Sequence, residues 1–434
     1  MSKRLDASGP EFWAALTDLL NSRRQGVAAR VDATVSGIIT DVKARGITAV
    51  LDATKTFDRF DASDANGLRV DPALMRAALA GLDDRLRAAL EAASARIRSF
   101  HEKQLPEGFD YQDELGIRLG MRWGPIEAVG LYVPGGAAAY PSSVLMNAIP
   151  AKVAGVDRLV MMAPTPDGLD NQMVLAAAEL VGADEVWRIG GAQAVAALAY
   201  GAAPIRPVDK IVGPGNAYVA EAKRQVFGKV GIDMIAGPSE VLIIADSGAN
   251  PRWLALDLLA QAEHDADAQS ILISDDAGLL DAVSRAVDTE LQSLPRAGTA
   301  GASWRDHGGL ILVDDVYRDA PKISDLVAPE HLELVVADPD RIANVVRHAG
   351  AIFLGAETPE AVGDYVGGPN HVLPTSGAAR FSSGLGVVDF MKRTTLLGCG
   401  AVGLASVGPH AVALAESEGL DAHSRSIRAR LTRE

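Results

Sequence analysis

The sequence is poor in cysteine, in aromatic side chains and in positive charge. Its 434 residues include one cysteine, Cys399, which excludes intrachain disulfides and a cluster of thiolate metal ligands. The Leu-Gly-Cys-Gly setting of Cys399 favours packing over a role as a nucleophile. Acidic side chains outnumber basic ones and give a formal net charge of −15, which argues against nucleic acid or an anionic membrane as a partner.

Long apolar runs are also missing. The N-terminus has no apolar core of the signal-peptide type and no run reaches transmembrane length, so we expect a cytoplasmic protein. Aromatic residues make up 5% of the chain and apolar residues 48%, a composition typical of an α/β protein. A chain of this length exceeds a single core and predicts roughly two to four domains.

Secondary-structure patterns divide the chain near residue 126. Helical periodicity dominates the first 120 residues or so, and apolar strands alternate with helices beyond them. The predicted strands are Glu127–Val133, Arg158–Ala163, Glu185–Ile189, Lys210–Val212, Ile232–Ile235, Glu240–Ala245, Ser270–Ser274, Gly309–Val313, Leu332–Val336 and Ala351–Leu354. This alternation predicts two parallel sheets with helices on both faces. The tail beyond about residue 385 is predicted to be helical, with a last helix after Asp421.

Three glycine-containing loops end predicted strands and open helices: residues 132–136, 190–193 and 212–216. Glycines let the backbone approach a ligand closely, and ligands of open α/β sheets lie at the carboxyl ends of strands. A nucleotide cofactor fits all three loops together. None is the dinucleotide fingerprint, because after Gly213 and Gly215 the third glycine position holds Ala or Tyr. Tight turns without a ligand remain the alternative.

A predicted helix over 253–265 carries the polar residues that the rest of the chain is expected to surround. Gln261 and His264 lie three residues apart, which places them on one face of its last turn. Polar side chains on a largely apolar helix need partners, since burial of unpaired polar groups is costly. The alternative is that His264 binds no ligand and is stabilised by the helix dipole and a backbone carbonyl.

Three further places combine carboxylates and imidazoles. Glu330 and His331 are adjacent just before a predicted strand; the alternative is a solvated loop pair. Asp364 and His371 lie in a glycine-rich loop, and Glu418 and His423 flank a turn that also fits a capped helix junction. A nitrogen and oxygen ligand set of Gln261, His264, Asp364 and His423 suits zinc or manganese, although the long gaps do not establish such a site by spacing.

These segments closely resemble histidinol dehydrogenases, over nearly the whole chain from about residue 30. The matching segments are 132–136 (YVPGG), 212–219 (VGPGNAYV), 236–240 (AGPSE), 261–265 (QAEHD), 329–332 (PEHL), 368–375 (GPNHVLPT) and 381–383 (FSS). Several of them are long and unusual, so chance agreement is implausible.

The resemblance implies residue roles. It implies one zinc ion per subunit, held by Gln261, His264, Asp364 and His423, and an acid–base pair of Glu330 and His331. The implied NAD contacts are Tyr132, Gln193 and Asn216. The implied substrate contacts are Ser239, Gln261, His264, His331, Asp364, His371, Glu418 and His423.

The fold that the resemblance implies is α/β: two Rossmann-like doubly wound domains with parallel sheets, plus small helical N- and C-terminal domains. Residues 1–27 would form the N-terminal helical segment. Residues 28–128 and 238–382 would form the first Rossmann-like domain, with the metal and catalytic residues, and 129–237 the second, with the NAD loops. Residues 383–434 would form the C-terminal helical domain, which reaches across a homodimer so that Glu418 and His423 complete the partner's site.

The implied reaction is the four-electron oxidation of L-histidinol to L-histidine through L-histidinal with two NAD⁺, the last steps of histidine biosynthesis. One alternative is a paralogous zinc and NAD alcohol dehydrogenase for another small polar alcohol, such as a sulfonated diol. Others are a zinc hydrolase that uses Glu330 to activate water, and a regulator that binds a nucleotide or metal without catalysis.

Overall fold

A computed structural model describes residues 2–21, 28–134, 140–235 and 237–432. Its strands are β1 (Lys3–Asp6), β2 (Phe109–Gln112), β3 (Arg118–Pro125), β4 (Ala128–Tyr132), β5 (Arg158–Met162), β6 (Glu185–Trp187), β7 (Lys210–Val212), β8 (Gly231–Ile232), β9 (Glu240–Ala245), β10 (Gln269–Ser274), β11 (Gly309–Leu312), β12 (His331–Val335), β13 (Ala351–Leu354) and β14 (Met391–Gly398).

The α-helices are α1 (Phe12–Asn21), α2 (Ala28–Arg45), α3 (Ile47–Phe57), α4 (Ala65–Leu68), α5 (Pro72–Ala80), α6 (Asp84–Glu102), α7 (Pro141–Ala154), α8 (Gln172–Val181), α9 (Gly191–Tyr200), α10 (Ala217–Val226), α11 (Pro251–Ala262), α12 (Ala277–Glu290), α13 (Ala297–His307), α14 (Val316–Val327), α15 (Pro339–Ala343), α16 (Glu360–Tyr365), α17 (Ala401–Ser417) and α18 (Asp421–Thr432). Short 3-10 turns lie at Pro166–Gly168, Ala378–Arg380 and Val387–Phe390. Among the described residues, no helix is both long and apolar enough to cross a membrane.

Within the described ranges, the larger parallel sheet has six strands in the order β1-β11-β10-β9-β12-β13. Successive residues of a strand point to opposite faces, and both faces are covered. On one face Leu242 and Ile244 pack in a core with α1 and α14. On the other, Val241 and Ile243 pack against α11 and α12. The continuous apolar strands of the sequence are therefore explained by burial on both faces.

The second parallel sheet has five described strands in the order β6-β5-β4-β7-β8. Val129 and Leu131 of β4 pack toward α7 and α8 on one face. Val160 and Met162 of β5 pack toward α9 and α10 on the other. The prediction of two doubly wound parallel sheets is confirmed.

The helices of residues 28–102 pack against a different sheet from the one predicted for them. The sequence-based division assigned 28–128 to the domain of the larger sheet, but α2 and α3 join the core of the five-stranded sheet beside α9 and α10. Helices α5 and α6 join its opposite face beside α7 and α8. Their apolar faces have the same periodicity whichever sheet they cover, so the pattern alone does not select between the sheets. The domain boundaries themselves remain predictions.

Strands β1, β2 and β14 lie in segments where helices were predicted. Strand β1, within the segment predicted to be helical, pairs in parallel with β11 at the edge of the six-stranded sheet. Strand β14, in the tail predicted to be helical, pairs antiparallel with β3, which also pairs with β2. Most residues of β14 are exposed or half-buried, so it has no strong apolar pattern. Cys399, which was expected to pack, follows this strand and is exposed.

The C-terminal end is a helical pair, as predicted. Helices α17 and α18 pack against each other where Gly408 leaves room, since a Cβ there would lie 3.3 Å from Ile427 Cγ2. The last helix begins at Asp421, next to the predicted position.

Candidate active site

A cavity of about 670 Å³ lies between the two parallel sheets. Its lining comes from the carboxyl end of the five-stranded sheet, with Gly213 and Asn216, and from the amino end of the six-stranded sheet, with Glu330 and His331. The glycine loops thus lie at carboxyl ends of strands, as expected for ligand-binding loops. The polar cluster with Glu330 and His331 lies instead at the amino ends of strands, on the neighbouring six-stranded sheet.

His331, the first residue of β12, is held in one tautomer. Its ring is buried, and Nδ1 lies 2.9 Å from the carbonyl oxygen of Glu240, to which it donates. Within the described residues Nε2 is buried and has no hydrogen-bond partner. Burial of the ring lowers the pKa of His331 to about 3. The hydrogen bond to the Glu240 carbonyl raises this pKa, but its effect is smaller than that of burial. The imidazole is therefore neutral at physiological pH and presents Nε2 as a proton acceptor.

Glu330 is fixed by the same peptide segment. Its Oε2 accepts a hydrogen bond of 3.0 Å from the backbone N–H of Glu240. Nδ1 of His331 lies 3.8 Å from that oxygen, too far for a hydrogen bond. Because β12 and β9 are parallel neighbours, the first residue of β9 orients both adjacent side chains through its backbone. The alternative of a solvated loop pair is wrong, since Glu330 and His331 are 7% and 4% exposed.

Gln261 and His264 lie at and just after the end of α11. The Gln261 amide nitrogen donates to Glu360, at 2.7 Å from Oε1 and 3.1 Å from Oε2, and its oxygen faces His264 Nδ1 at 3.2 Å. We assign this orientation because the reverse would set the amide oxygen against the carboxylate. The 3.2 Å separation is compatible with two ligands of one ion, each about 2.0–2.2 Å from it. Burial lowers the pKa of His264.

Helix α16 adds two carboxylates. Glu360 and Asp364 are four residues apart and face the same side of the helix. One ligand atom from each of His331, Glu360 and Asp364 lies within 4.8 Å of the other two. Burial raises the pKa of Asp364 to about 6. The pKa of Glu360 is raised well above its usual range by burial and by the nearby Asp364 and Glu333.

His371 packs beside this cluster. Its Nδ1 lies 3.0 Å from the carbonyl oxygen of Asp364, so the ring donates to that backbone. Burial lowers the pKa of His371 to about 4, which leaves a neutral imidazole. Neutral imidazoles beside concentrated buried carboxylates form a donor set with surplus negative charge. A divalent cation would offset this charge, so the residues present fit a zinc ion.

Part of the predicted set meets at the cavity, whose lining includes Asn216, Ser239, His264, Glu330, His331, Asp364 and His371. Gln261 contacts His264 and Glu360. Glu418 and His423 do not belong to the lining; both are exposed on the C-terminal helical pair. One chain therefore supplies three of the four predicted metal ligands to the cavity region.

Two of the predicted NAD contacts surround the start of α9. The backbone N–H of Gly191 donates to the Tyr132 hydroxyl at 3.1 Å. Gln193 is 1% exposed, and neither polar atom of its amide has a partner among the described residues. A buried orphaned amide at a helix N-terminus fits a polar ligand that supplies the missing hydrogen bonds. Gly135 and Gly136, also part of a predicted glycine loop, lie outside the described residues.

The loop after β7 shows why its glycine is required. Gly213 has φ of +113°, and a Cβ there would lie 2.1 Å from the carbonyl oxygen of Tyr132. Its N–H donates to Asp233 Oδ2 at 2.8 Å, and its carbonyl accepts from Lys223 Nζ at 3.0 Å. Lys223 and Asp233 also form an ion pair, with side chains 3% and 1% exposed. Asn216 follows as the cap of α10.

Sequence reasoning missed five contributing residues. Glu240 acts through its backbone atoms, so its side chain gives no signal in the sequence. The ion pair joins Lys223 of α10 to Asp233, which follows β8, and no local pattern predicts that pairing. Asp58, whose Oδ2 accepts from Gly190 N–H at 3.2 Å, is 132 residues away from it in the chain. Only Glu360 had a usable signal: it lies one helical turn before Asp364 in the same short helix.

Comparisons with known proteins agree with this geometry. The family model for histidinol dehydrogenase matches residues 21–431. The histidinol dehydrogenase of Rhodospirillum rubrum is 62% identical over all of this chain and 99% of its own length. That of Cereibacter sphaeroides is 59% identical, with 100% of this chain and 99% of the relative covered.

A crystal structure supports the same assignment. The histidinol dehydrogenase of Elizabethkingia anophelis superposes with a TM-score of 0.93 at 35% identity, covering 99% of this chain and 98% of that one. An orienting backbone, a neutral imidazole and a carboxylate in one cavity suit an oxidoreductase of this kind. The chain belongs to the histidinol dehydrogenase family of histidine biosynthesis.

Proposed function

We propose that this oxidoreductase converts L-histidinol to L-histidine by two successive NAD⁺-dependent oxidations, with one zinc ion per subunit. The observation that carries the proposal is the arrangement of Glu330 and His331, which are adjacent, buried and separately fixed by Glu240. Two groups that do not bond to each other suit two chemically distinct steps at one carbon atom. The bound zinc would supply a template that orients the imidazole and amine of the substrate.

In the first oxidation His331 Nε2 is the base. It takes the hydroxyl proton of the alcohol while the carbon-bound hydrogen leaves as hydride to the nicotinamide, which yields the aldehyde. The donation from Nδ1 to the Glu240 carbonyl keeps the Nε2 lone pair available. Glu330 Oε2 lies 3.8 Å from Nδ1, so the carboxylate charge of Glu330 favours the imidazolium that forms.

The second oxidation requires water. Glu330, as a carboxylate, accepts a proton from the water that adds to the aldehyde carbon, while the imidazolium of His331 returns its proton to the carbonyl oxygen, so that a hydrated aldehyde and a neutral His331 result. His331 then takes a proton from one hydroxyl as a second hydride leaves, and the carboxylate of histidine forms. Each oxidation removes two electrons, so two NAD⁺ are reduced for each histidinol.

Gln261, His264 and Asp364 would hold the zinc within one chain. His423 and the substrate contact Glu418 would come from the partner subunit of a homodimer, because both lie outside the cavity of their own chain. Exposed apolar side chains of β14 and α17 in the same C-terminal region, including Leu397, Val402 and Leu414 at 76%, 80% and 64% exposure, suit a buried subunit contact. A cytoplasmic location stays a prediction from the sequence.

The NAD⁺ contacts are proposed at Tyr132, Gln193 and Asn216. The unpaired amide of Gln193 offers a donor and an acceptor, and Gly213 and Asn216 line the cavity. Ser239 and His371 line the same cavity and would contact the substrate, while the carboxylate of Glu418 suits its cationic amine.

The separate roles of Glu330 and His331 are tested by measuring the oxidation of L-histidinol and of L-histidinal in turn. Glu330→Gln keeps an oxygen that can accept from Glu240 N–H, so alcohol oxidation should be largely preserved and aldehyde oxidation slowed. His331→Ala should slow both steps by about 10²–10⁴-fold, the usual contribution of a positioned base. Equal losses at both steps in Glu330→Gln would contradict the roles assigned.

The shared site is tested by mixing variants. A chain with Glu330→Gln and His331→Ala and a chain with His423→Ala are each expected to be inactive as homodimers. In a heterodimer one of the two sites combines intact residues from both chains, so mixing should restore some activity. Absence of recovery after verified subunit exchange would argue against a site completed by the partner.

A further inference from the structure

Glu360 is a buried carboxylate that the acid–base roles leave unused. It is 2% exposed and begins α16. Its two oxygens lie 2.7 and 3.1 Å from the amide nitrogen of Gln261. Oε1 also lies 3.7 Å from Nδ1 of His331. One side chain thus lies between a proposed zinc ligand and the proposed base.

The amide of Gln261 can bind a cation only through its oxygen. Nitrogen and oxygen occupy similar positions at the end of a glutamine side chain, so something must select which of them faces the metal. In the orientation assigned above, which avoids an amide oxygen against a carboxylate, both oxygens of Glu360 accept from the nitrogen. The oxygen is thereby left facing His264, the next proposed ligand along the chain.

We propose that Glu360 is a positioning residue that receives the amide hydrogens of Gln261 and so keeps Gln261 Oε1 directed at the zinc. The proposal rests on the proposed function, because Gln261 must be a ligand for its orientation to matter. Buried polar groups that hold metal ligands contribute strongly to metal affinity in other sites.

The structure also shows what holds Glu360 itself. Its backbone N–H donates to Glu333 Oε1 at 2.7 Å, which ties the start of α16 to strand β12. Gly363 packs against the ring of Phe353, where a Cβ would lie 2.5 Å from Cε1. Helix α16 is therefore seated closely on the sheet. Since it also carries Asp364, one rigid turn sets both the ligand Asp364 and the orientation of Gln261.

Direct ligation by Glu360 is the competing role, because its carboxylate lies within 4.8 Å of ligand atoms of His331 and Asp364. The contacts favour positioning. A cation bonded to Glu360 would be placed against the amide hydrogens of Gln261, which carry partial positive charge and already occupy both oxygens.

The test is a double-mutant cycle on zinc affinity, measured in the metal-free protein by competition with a chromogenic chelator. Glu360→Gln replaces one of the two accepting oxygens by an amide nitrogen, which opposes the amide hydrogens of Gln261, so it should raise the zinc Kd by about 10–100-fold. Gln261→Ala should also raise it. In the Gln261→Ala background, Glu360→Gln should change Kd by less than about two-fold, because the group it positions is gone.

Glu357→Gln is the matched control. Glu357 is exposed and lies three residues before Glu360, so its substitution should leave the zinc Kd unchanged. NAD⁺ affinity should stay constant in all variants, because Gln193 and Asn216 lie at the other sheet. If Glu360→Gln unfolds the metal-free protein, Glu360→Asp, which withdraws the carboxylate by one methylene, should show the same loss and the same cycle.

Each other result has a distinct meaning. An unchanged zinc Kd in Glu360→Gln overturns the positioning role. A full loss that persists in the Gln261→Ala background identifies Glu360 as a direct ligand and also overturns it. An unchanged Kd in Gln261→Ala, with the wild type binding zinc tightly, contradicts the proposed ligand set instead.

Discussion

Loss of Asp233 offers a quantitative test of how the loop after β7 is built. Asp233 and Lys223 form an ion pair that is almost wholly buried, and together they bind the N–H and the carbonyl of Gly213. Asp233→Asn keeps the size of the side chain and removes its charge. The Lys223 ammonium then stays buried without a counter-charge.

The structure sets the expected magnitude. Removal of one partner of a buried pair costs about 3–5 kcal/mol, because the remaining charge is uncompensated. Lys223 also donates to the Gly213 carbonyl, so movement of the ammonium toward water would leave that acceptor unpaired, at about 1–3 kcal/mol. We therefore expect Asp233→Asn to lower the free energy of unfolding by about 3–5 kcal/mol.

The assay is urea unfolding followed by circular dichroism, with NAD⁺ affinity measured in parallel. Asp61→Asn is the control, since Asp61 pairs with Lys55 and both are well exposed, at 70% and 62%. Its cost should stay below about 1 kcal/mol. NAD⁺ binding should weaken in Asp233→Asn while zinc binding does not. A loss of stability no larger than that of the control would refute the reasoning.

Three further predictions concern other parts of the site. Burial and Asp257 raise the pKa of Glu333 from 4.5 to about 8, so the stability that this group contributes is fully present below about pH 4.5 and is lost as the pH rises to about 8. The melting temperature of the metal-free protein should fall between about pH 6.5 and 8, and Glu333→Gln should reduce that fall; an unchanged slope would contradict the shift. Gly213→Ala should lower the free energy of unfolding by about 1–3 kcal/mol and raise the KM for NAD⁺, because the added methyl group would clash with the backbone of Tyr132. Wild-type kinetics in this variant would contradict the prediction. Asn370→Ala removes a 2.6 Å bond to the Met146 carbonyl and should cost about 1–3 kcal/mol by calorimetry, whereas no change would mean that water replaces the amide.

The sequence predicted local elements well. Apolar runs such as Ser270–Ser274 lie within strands, because burial on both faces leaves a strong local signal. The same holds for α11, whose apolar residues pack on the sheet and carry Gln261 to the cavity. Glu330 and His331 were found because they are adjacent and precede a strand.

Long-range relations were not predictable in the same way. The Glu240 peptide that orients Glu330 and His331 lies some 90 residues before them and acts through backbone atoms, which any residue possesses. The packing of α2 on the five-stranded sheet depends on tertiary fit, since an amphipathic helix shows which face is apolar and not which sheet it covers. Strand β1 is short and mostly exposed and forms by pairing with β11.

The central claim is a four-electron, zinc-dependent oxidation, and the most direct measurement is the yield of NADH at 340 nm with limiting L-histidinol. The yield is compared in the loaded protein, after chelation and after return of zinc. We expect two NADH for each histidinol, lost on chelation and restored by zinc. One NADH would limit the enzyme to the alcohol step and contradict the role of Glu330. No NADH from folded, zinc-loaded protein would assign it another alcohol, such as a sulfonated diol.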